Sequence, residues 1–170
     1  HLYALDINTG TTKLLTPGNG EIENVIVSAD RKIIYYTTNI SDINRRHIWK
    51  LSTADNQPEQ LTKGNEIEWS PVITGNGIAV LHSSATKPAW PAIINNGSVN
   101  NIAKEFFPAD FPNRLVQPQP VKIKATDGHD ASGDLFLPPN EKAGEKHPAR
   151  IFIHVGTRRQ LVLGLHYSTD

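Results

Sequence analysis

Hydrophobic and polar positions alternate along much of the first hundred residues, and short turn sequences interrupt the alternation. Residues 2–7 and 12–16 form one such pair of segments, and residues 24–28 and 33–38 form another. Alternation with a period of two, in segments rich in Ile, Val, Tyr and Thr, is typical of β-strands. The apolar period of 3.6 residues that marks an amphipathic helix is missing here. The pattern therefore predicts successive β-hairpins.

These hairpins recur along the chain. His47 lies 46 positions after His1, and the residues around the two histidines are alike. Three segments repeat in this way, the third after a slip of one residue: His1-Leu2-Tyr3-Ala4-Leu5 with His47-Ile48-Trp49-Lys50-Leu51, Leu15-Thr16 with Leu61-Thr62, and Glu21-Ile22-Glu23 with Glu66-Ile67-Glu68. A repeat of this length containing four strands has the size of a β-propeller blade.

We assign the first four strands, residues 2–38, to one blade and predict that a second blade repeats the plan. Asn76-Gly77 is expected to supply the positive-φ pair of a type I′ turn in the second blade. Residues 89–103, around Asn96-Gly97, begin a third unit that does not complete. Because blades bury their faces against neighbouring blades, two blades cannot close a ring, and we expect the polypeptide to continue upstream.

The composition changes after residue 105. Four prolines fall within thirteen residues, which predicts an extended connector and a domain boundary near residue 118. Beyond it, residues 121–125 and 131–137 are predicted to form a hairpin. Residues 150–155 are continuously apolar after Arg150, which favours a strand buried on both faces in the middle of a sheet.

Charge and composition exclude several functions. The 17 Lys and Arg residues balance the 17 Asp and Glu residues, so there is no net field to attract nucleic acid. The chain has no Cys, and its seven His residues show no ligand spacing, so neither a metal site nor a cofactor is predicted. No apolar run approaches the length of about 20 residues that spans a bilayer. Trp49, Trp69 and Trp90 are interpreted as blade packing rather than as a ligand platform.

The order of these parts resembles the prolyl oligopeptidase family of serine peptidases, in particular its dipeptidyl peptidase IV-like and acylaminoacyl peptidase-like branches. The resemblance covers nearly the whole chain. Its residues are the Leu-Thr pairs that end the hairpins, Trp69-Ser70-Pro71, Ser28-Ala29-Asp30-Arg31-Lys32, Thr126-Asp127-Gly128, Gly133-Asp134-Leu135-Phe136-Leu137-Pro138 and the segment from Lys146 to His154.

This resemblance implies a mainly β fold: a partial β-propeller of four-stranded antiparallel blades, followed by the first strands of an α/β-hydrolase domain. Residues 1–118 then contain two blades, a partial third and the connector, and residues 119–170 contain the N-terminal part of the catalytic domain. The implied function is hydrolysis of short peptides through an acyl-enzyme, with the propeller gating access to the active site. Peptides are the implied partners. A homo-oligomer is compatible with the resemblance, and the oligomeric state is left open. The export of many bacterial relatives favours the periplasm or secretion.

The resemblance also places the candidate catalytic residues His154 and Gly156 in the loop beside the oxyanion. This sequence reads His154-Val155-Gly156-Thr157 where the family has His-Gly-Gly-Pro. Val155 is β-branched and disfavours positive φ. No Gly-x-Ser-x-Gly motif occurs in the 170 residues, so the Ser, Asp and His of the triad are expected downstream and this chain alone is predicted to be inactive.

The role of the Glu-Ile-Glu triplets and the identity of the whole chain each have alternatives at this point. The Glu-Ile-Glu triplets either bind a substrate amino terminus or form a solvated structural blade edge, and their recurrence in two blades favours the structural role. The altered oxyanion loop supports a non-catalytic, TolB-like propeller that acts as a binding module. A complete small β-protein of 170 residues is the third alternative. No substrate-binding residues are assigned.

Overall fold

The structure is a computed structural model that describes residues 1–16, 18–111, 115–142, 144–153 and 162–165. These residues form twelve β-strands and one short 3-10 helix, Lys104–Phe106. The strands are β1 (Tyr3–Leu5), β2 (Thr12–Leu14), β3 (Ile22–Val27), β4 (Ile33–Thr38), β5 (His47–Ser52), β6 (Pro58–Gln60), β7 (Ile67–Thr74), β8 (Gly77–Ser84), β9 (Lys87–Asn95), β10 (Ser98–Asn101), β11 (Gln119–Lys124) and β12 (Asp130–Leu135). The prediction of a mainly β fold is confirmed.

Two four-stranded antiparallel sheets form the centre of the molecule. One has the strand order β3-β4-β5-β6, and the other has the order β10-β9-β8-β7. Strands β1 and β2 form a separate two-stranded sheet, as do β11 and β12. All the hairpins predicted from the alternation are therefore present.

The grouping of these hairpins into sheets differs from the prediction. Residues 2–38 do not form one sheet, because β3 and β4 pair with the strands that follow them and not with β1 and β2. Likewise, the hairpin at 89–103 does not begin a third unit, since β9 joins β8 and completes the second sheet. The repeat in sequence sets the period of the units but not the residue at which each sheet starts. Here each sheet starts at a Glu-Ile-Glu triplet.

The two large sheets pack face to face. Strand β7 contacts β3, β4 and β5 of the preceding sheet. Between the sheets lies a core of five buried residues: Ile48, Ile78, Val80, Ala92 and Ile94. A second cluster, Leu15, Tyr36 and Leu51, joins the first hairpin to the first sheet. This stacking is how neighbouring units cover one another's apolar faces.

The two Asn-Gly sequences that were predicted to form hairpin turns behave differently. Asn96 and Gly97 both have positive φ, 49° and 78°, as the sequence predicts. At the other site Thr74 pairs with Gly77, so Gly75 and Asn76 form the loop. Gly77 has a φ of 143° and begins β8, whereas Asn76 is not in the positive-φ region. The expectation of a type I′ pair at Asn76-Gly77 was therefore wrong: the loop lies one position earlier, and neither of its two residues has positive φ.

The C-terminal part agrees with the sequence only in its hairpin. Strands β11 and β12 pair antiparallel from Gln119 opposite Leu135 to Lys124 opposite Asp130. Ile151, Phe152 and Ile153 are 84%, 81% and 77% exposed and have no strand conformation. The predicted buried central strand is thus wrong for the described residues 150–153, because none of the described strands pairs with them and no apolar face covers them.

Candidate functional site

The residues predicted for the oxyanion loop lie outside the described part of the chain. This applies to His154 and Gly156, and equally to Val155 and Thr157. Their catalytic role stays a prediction.

A short segment beyond that loop packs on the second sheet. The backbone N–H of Leu163 donates to the carbonyl of Asn44 at 2.8 Å, and the N–H of Leu165 donates to the carbonyl of Ser84 at 3.0 Å. Ser83 returns a hydrogen bond from Oγ to the Leu165 carbonyl at 3.1 Å. Leu163 is buried, and Gly164 lies so close to Ile67 that a side chain there would clash. Residues 162–165 are therefore held beside the start of β7.

The first Glu-Ile-Glu triplet faces an arginine. The Arg46 guanidinium lies 3.2 Å from a Glu23 carboxylate oxygen through Nε, and 3.9 Å from Glu21 through Nη2. Both carboxylates reach the same partner because residues two apart on a strand point to one side. Arg46 is buried, whereas the Glu21 side chain is 70% exposed.

The second triplet is the centre of an acid–histidine cluster, which we define as His47, Glu66, Glu68 and His82. Nδ1 of His47 lies 2.9 Å from Oε2 of Glu68, and the Thr62 hydroxyl donates to the same oxygen at 2.6 Å. Nε2 of His82 lies 2.8 Å from Oε2 of Glu66 and 3.8 Å from Oε1 of Glu68. Glu68 is buried, so its carboxylate is stabilised by these partners rather than by water.

These contacts clarify the role of the triplets. Each carboxylate already has a basic partner within the protein, as a structural role requires. The predicted solvated edge is wrong for Glu68, whose side chain is only 3% exposed. The second triplet joins its sheet to the preceding one, since Glu68 on β7 bonds to His47 on β5.

The repeated Leu-Thr pairs also have a physical explanation. The Thr62 hydroxyl accepts a hydrogen bond from the N–H of Ile48 at 2.9 Å, and Thr16 accepts one from the N–H of Leu2 at 2.8 Å. In each case the threonine ends a hairpin and satisfies a backbone donor at the start of the hairpin's first strand. Both threonines are buried, so each hydroxyl satisfies a backbone N–H group that water cannot reach.

A pocket of about 600 Å³ lies next to the acid–histidine cluster. We call it the connector pocket, because the segment after β10 forms one of its walls. Its lining residues are Thr86, Lys87, Trp90, Asn101, Lys104, Phe107, Pro108, Ala109 and Phe111. Two of them contact the cluster: Lys87 lies 3.7 Å from Glu66, and Oδ1 of Asn101 lies 2.7 Å from Nδ1 of His82.

The tryptophans divide between two environments. Trp49 packs against the cluster around Tyr36, which agrees with the interpretation as blade packing. Trp90 instead contacts Phe107 of the connector and lines the connector pocket. The interpretation as packing within a blade alone was therefore incomplete for Trp90.

Sequence reasoning missed the basic partners of the triplets. A signal was present for His47, which repeats His1 and is the first residue of the largely buried strand β5. None was present for His82, whose equivalent in the first unit is Thr37. Within the described ranges, no group of three or more His, Cys, Asp or Glu residues has the arrangement of a metal site. Among the same residues, no helix has the length and apolar character needed to cross a bilayer.

A profile of the family described as the dipeptidyl peptidase IV N-terminal region matches residues 1–90, more than half of the chain. The chain belongs to this family. The resemblance to the prolyl oligopeptidase and dipeptidyl peptidase IV-like peptidases is thereby confirmed, and the two large sheets are blades of the family's β-propeller region. A comparison with curated protein sequences gave no match.

Solved structures of two peptidases share the fold of this family member. A puromycin-hydrolysing peptidase of Mycobacterium tuberculosis is 15% identical with a TM-score of 0.65, and the alignment covers 85% of this chain and 24% of that one. The AtxE2 isopeptidase, an S527A variant with astexin3-dC4 bound, is 14% identical with a TM-score of 0.57, covering 75% of this chain and 20% of that one. The chain thus spans less than a quarter of the length of either.

Proposed function

We propose that this chain is part of a serine peptidase that hydrolyses short peptides through an acyl-enzyme. The observation that carries the proposal is the family match over the propeller blades, followed in the same chain by a connector and the hydrolase-like hairpin β11–β12. The blades gate access to the active site, and the nucleophile lies outside these 170 residues.

We place the start of the hydrolase domain at residue 119. Strand β11 begins at Gln119 and pairs with β12 in a sheet separate from the blades, which supports this position. Residues 1–118 then form the propeller part with its connector. His154 and Gly156 belong to the oxyanion loop in this proposal. The contacts of residues 162–165 with Asn44 and Ser84 support a catalytic domain that lies beside the β4–β5 loop and the end of β8.

The proposal is tested by turnover. Full-length protein should release the chromophore from Xaa-Pro or Ala-Ala substrates, and a serine-directed inhibitor should abolish the activity. The isolated 170-residue chain should show no turnover, because acyl transfer needs a nucleophile, a base and an orienting acid that it does not contain.

Two outcomes would contradict the proposal. Inhibitor-sensitive turnover by the isolated chain would show that the nucleophile is within these residues. Absence of turnover by folded full-length protein, across substrates of both classes, would favour the non-catalytic binding module.

A further inference from the structure

The connector pocket has the size of a ligand site and none of the family comparisons assigns it a ligand. Its volume of about 600 Å³ falls within the range of about 300–1,000 Å³ typical of small-molecule sites. Strand β9 and the turn before it form one side, β10 contributes Asn101, and the connector closes the opposite side.

One wall of the pocket is aromatic. The Trp90 and Phe107 rings lie 5.1 Å apart at an interplanar angle of 59°, and the Phe107 and Phe111 rings lie 5.6 Å apart at 64°. The indole Nε1 of Trp90 donates to the carbonyl of Ile102 at 2.7 Å, which fixes the orientation of that ring. The three rings give the pocket an apolar surface against which an apolar side chain can pack.

The polar groups of the pocket favour an anion. Two lysines and no carboxylate line it. Lys87 lies near Glu66, whereas Lys104 makes no ion pair with any residue that the structure describes. The side-chain oxygen of Asn101 is engaged by His82, so the remaining hydrogen-bonding capacity of that amide is the donation of N–H.

We propose that the connector pocket binds the carboxy-terminal residue of a peptide, with the α-carboxylate at Lys104 and Asn101 and a large apolar side chain against Trp90 and Phe107. A carboxy-terminal residue presents an anion and a side chain from one carbon atom, as the pocket requires. The choice of a peptide as the ligand rests on the proposed function. Binding at this pocket, however, does not require the protein to hydrolyse the peptide.

Calorimetric titration of the full-length protein tests the proposal, with a serine-directed inhibitor present so that the peptide is not consumed. The tetrapeptide Ala-Ala-Ala-Phe with a free carboxylate should bind at least about tenfold more tightly than its carboxy-terminal amide, because a charge-assisted contact is lost. Ala-Ala-Ala-Ala should also bind more weakly, since it leaves the aromatic wall uncovered.

Variants locate the site. Lys104→Glu and Lys104→Gln should each reduce affinity for the free carboxylate and remove the preference over the amide. Lys13→Glu, the same charge reversal at an exposed position of β2, should leave both affinities unchanged. Circular dichroism verifies that each variant is folded.

Equal binding of the acid and the amide, no binding of either, or wild-type affinity in both Lys104 variants would overturn the proposal. None of these outcomes would change the result of the turnover experiment, so the binding proposal and the peptidase proposal can fail separately.

Discussion

At the scale of single residues, the repeat is explained by polar side chains that satisfy buried backbone and charged groups. Thr62 is the clearest example, because its hydroxyl bonds to both the Ile48 N–H and the Glu68 carboxylate. Leaving either group unpaired in the interior would cost on the order of 1–3 kcal/mol. In the second unit, Thr62 of the Leu-Thr pair and Glu68 of the Glu-Ile-Glu triplet are thus parts of one buried network.

Tyr36 gives a prediction about alkaline pH. Burial raises the pKa of its phenol from 10.0 to about 12, because the charged form is poorly solvated in the core. The folded state therefore favours the neutral phenol. The stability that this provides is complete below pH 10 and is lost as pH rises through 12, a loss of about 2–3 kcal/mol. Tyr36→Phe should remove this part of the alkaline destabilisation.

The measurement is the urea midpoint of unfolding at pH 9 and pH 12. Tyr3→Phe is the matched control, because the Tyr3 side chain is 61% exposed and should leave the pH dependence unchanged. At pH 9, Tyr36→Phe should cost little, since no described residue hydrogen-bonds the Tyr36 hydroxyl. An equal fall in midpoint for wild type and Tyr36→Phe would refute the assignment.

At the scale of elements, the turn before β8 shows how one backbone conformation fixes a hairpin. Gly77 combines a φ of 143° with close approach to the carbonyl of Ile94 on β9. A Cβ atom there would clash with that carbonyl, and the φ value is one that L side chains rarely adopt. Glycine at this position lets β8 start in register with β9.

Gly77→Ala should therefore destabilise the fold by at least about 2 kcal/mol. Gly75→Ala, two residues earlier in the same turn, is the control. Nothing lies within 4 Å of its added Cβ, and its φ is outside the left-handed region. It should change stability by less than about 0.5 kcal/mol. Thermal or urea unfolding measures the loss of stability in each variant. Equal losses for Gly77→Ala and Gly75→Ala would contradict the role assigned to Gly77.

The hairpins could be predicted from the sequence because alternation and turn residues are local signals. The grouping into sheets could not, since β4 is preceded and followed by hairpins of the same kind. Only the tertiary pairing of β4 with β5 distinguishes the two groupings. The acid–histidine cluster could be predicted only in part. Its glutamates belong to the sequence repeat, but His82 contacts them from the neighbouring strand β8, and no repeat marks it.

The connector pocket could not be predicted from the sequence either, because it too depends on tertiary contacts. Trp90 and Phe107 are 17 positions apart, and the proline-rich stretch between residues 108 and 120 predicts an extended path without specifying what it contacts. The apolar run at residues 151–153 shows the opposite error. A strand signal was present, yet the partner strands that a buried strand needs are not among the described residues.

At the scale of the whole molecule, the family match and the stacked four-stranded sheets place this chain in the propeller region of a dipeptidyl peptidase IV-like protein. Stacking through the core around Ile48 leaves the first hairpin with exposed apolar side chains, among them Tyr3, Leu5 and Ile7. The peptidase proposal adds the hydrolase domain that follows residue 118.

We propose above all that this chain belongs to an active serine peptidase whose nucleophile lies outside these residues. Fluorophosphonate labelling of the full-length protein, with the modified serine located by mass spectrometry, tests it most directly. A single labelled serine beyond Asp170 is the expected result. A label on a serine of residues 1–170, or no label on folded protein, would contradict the account.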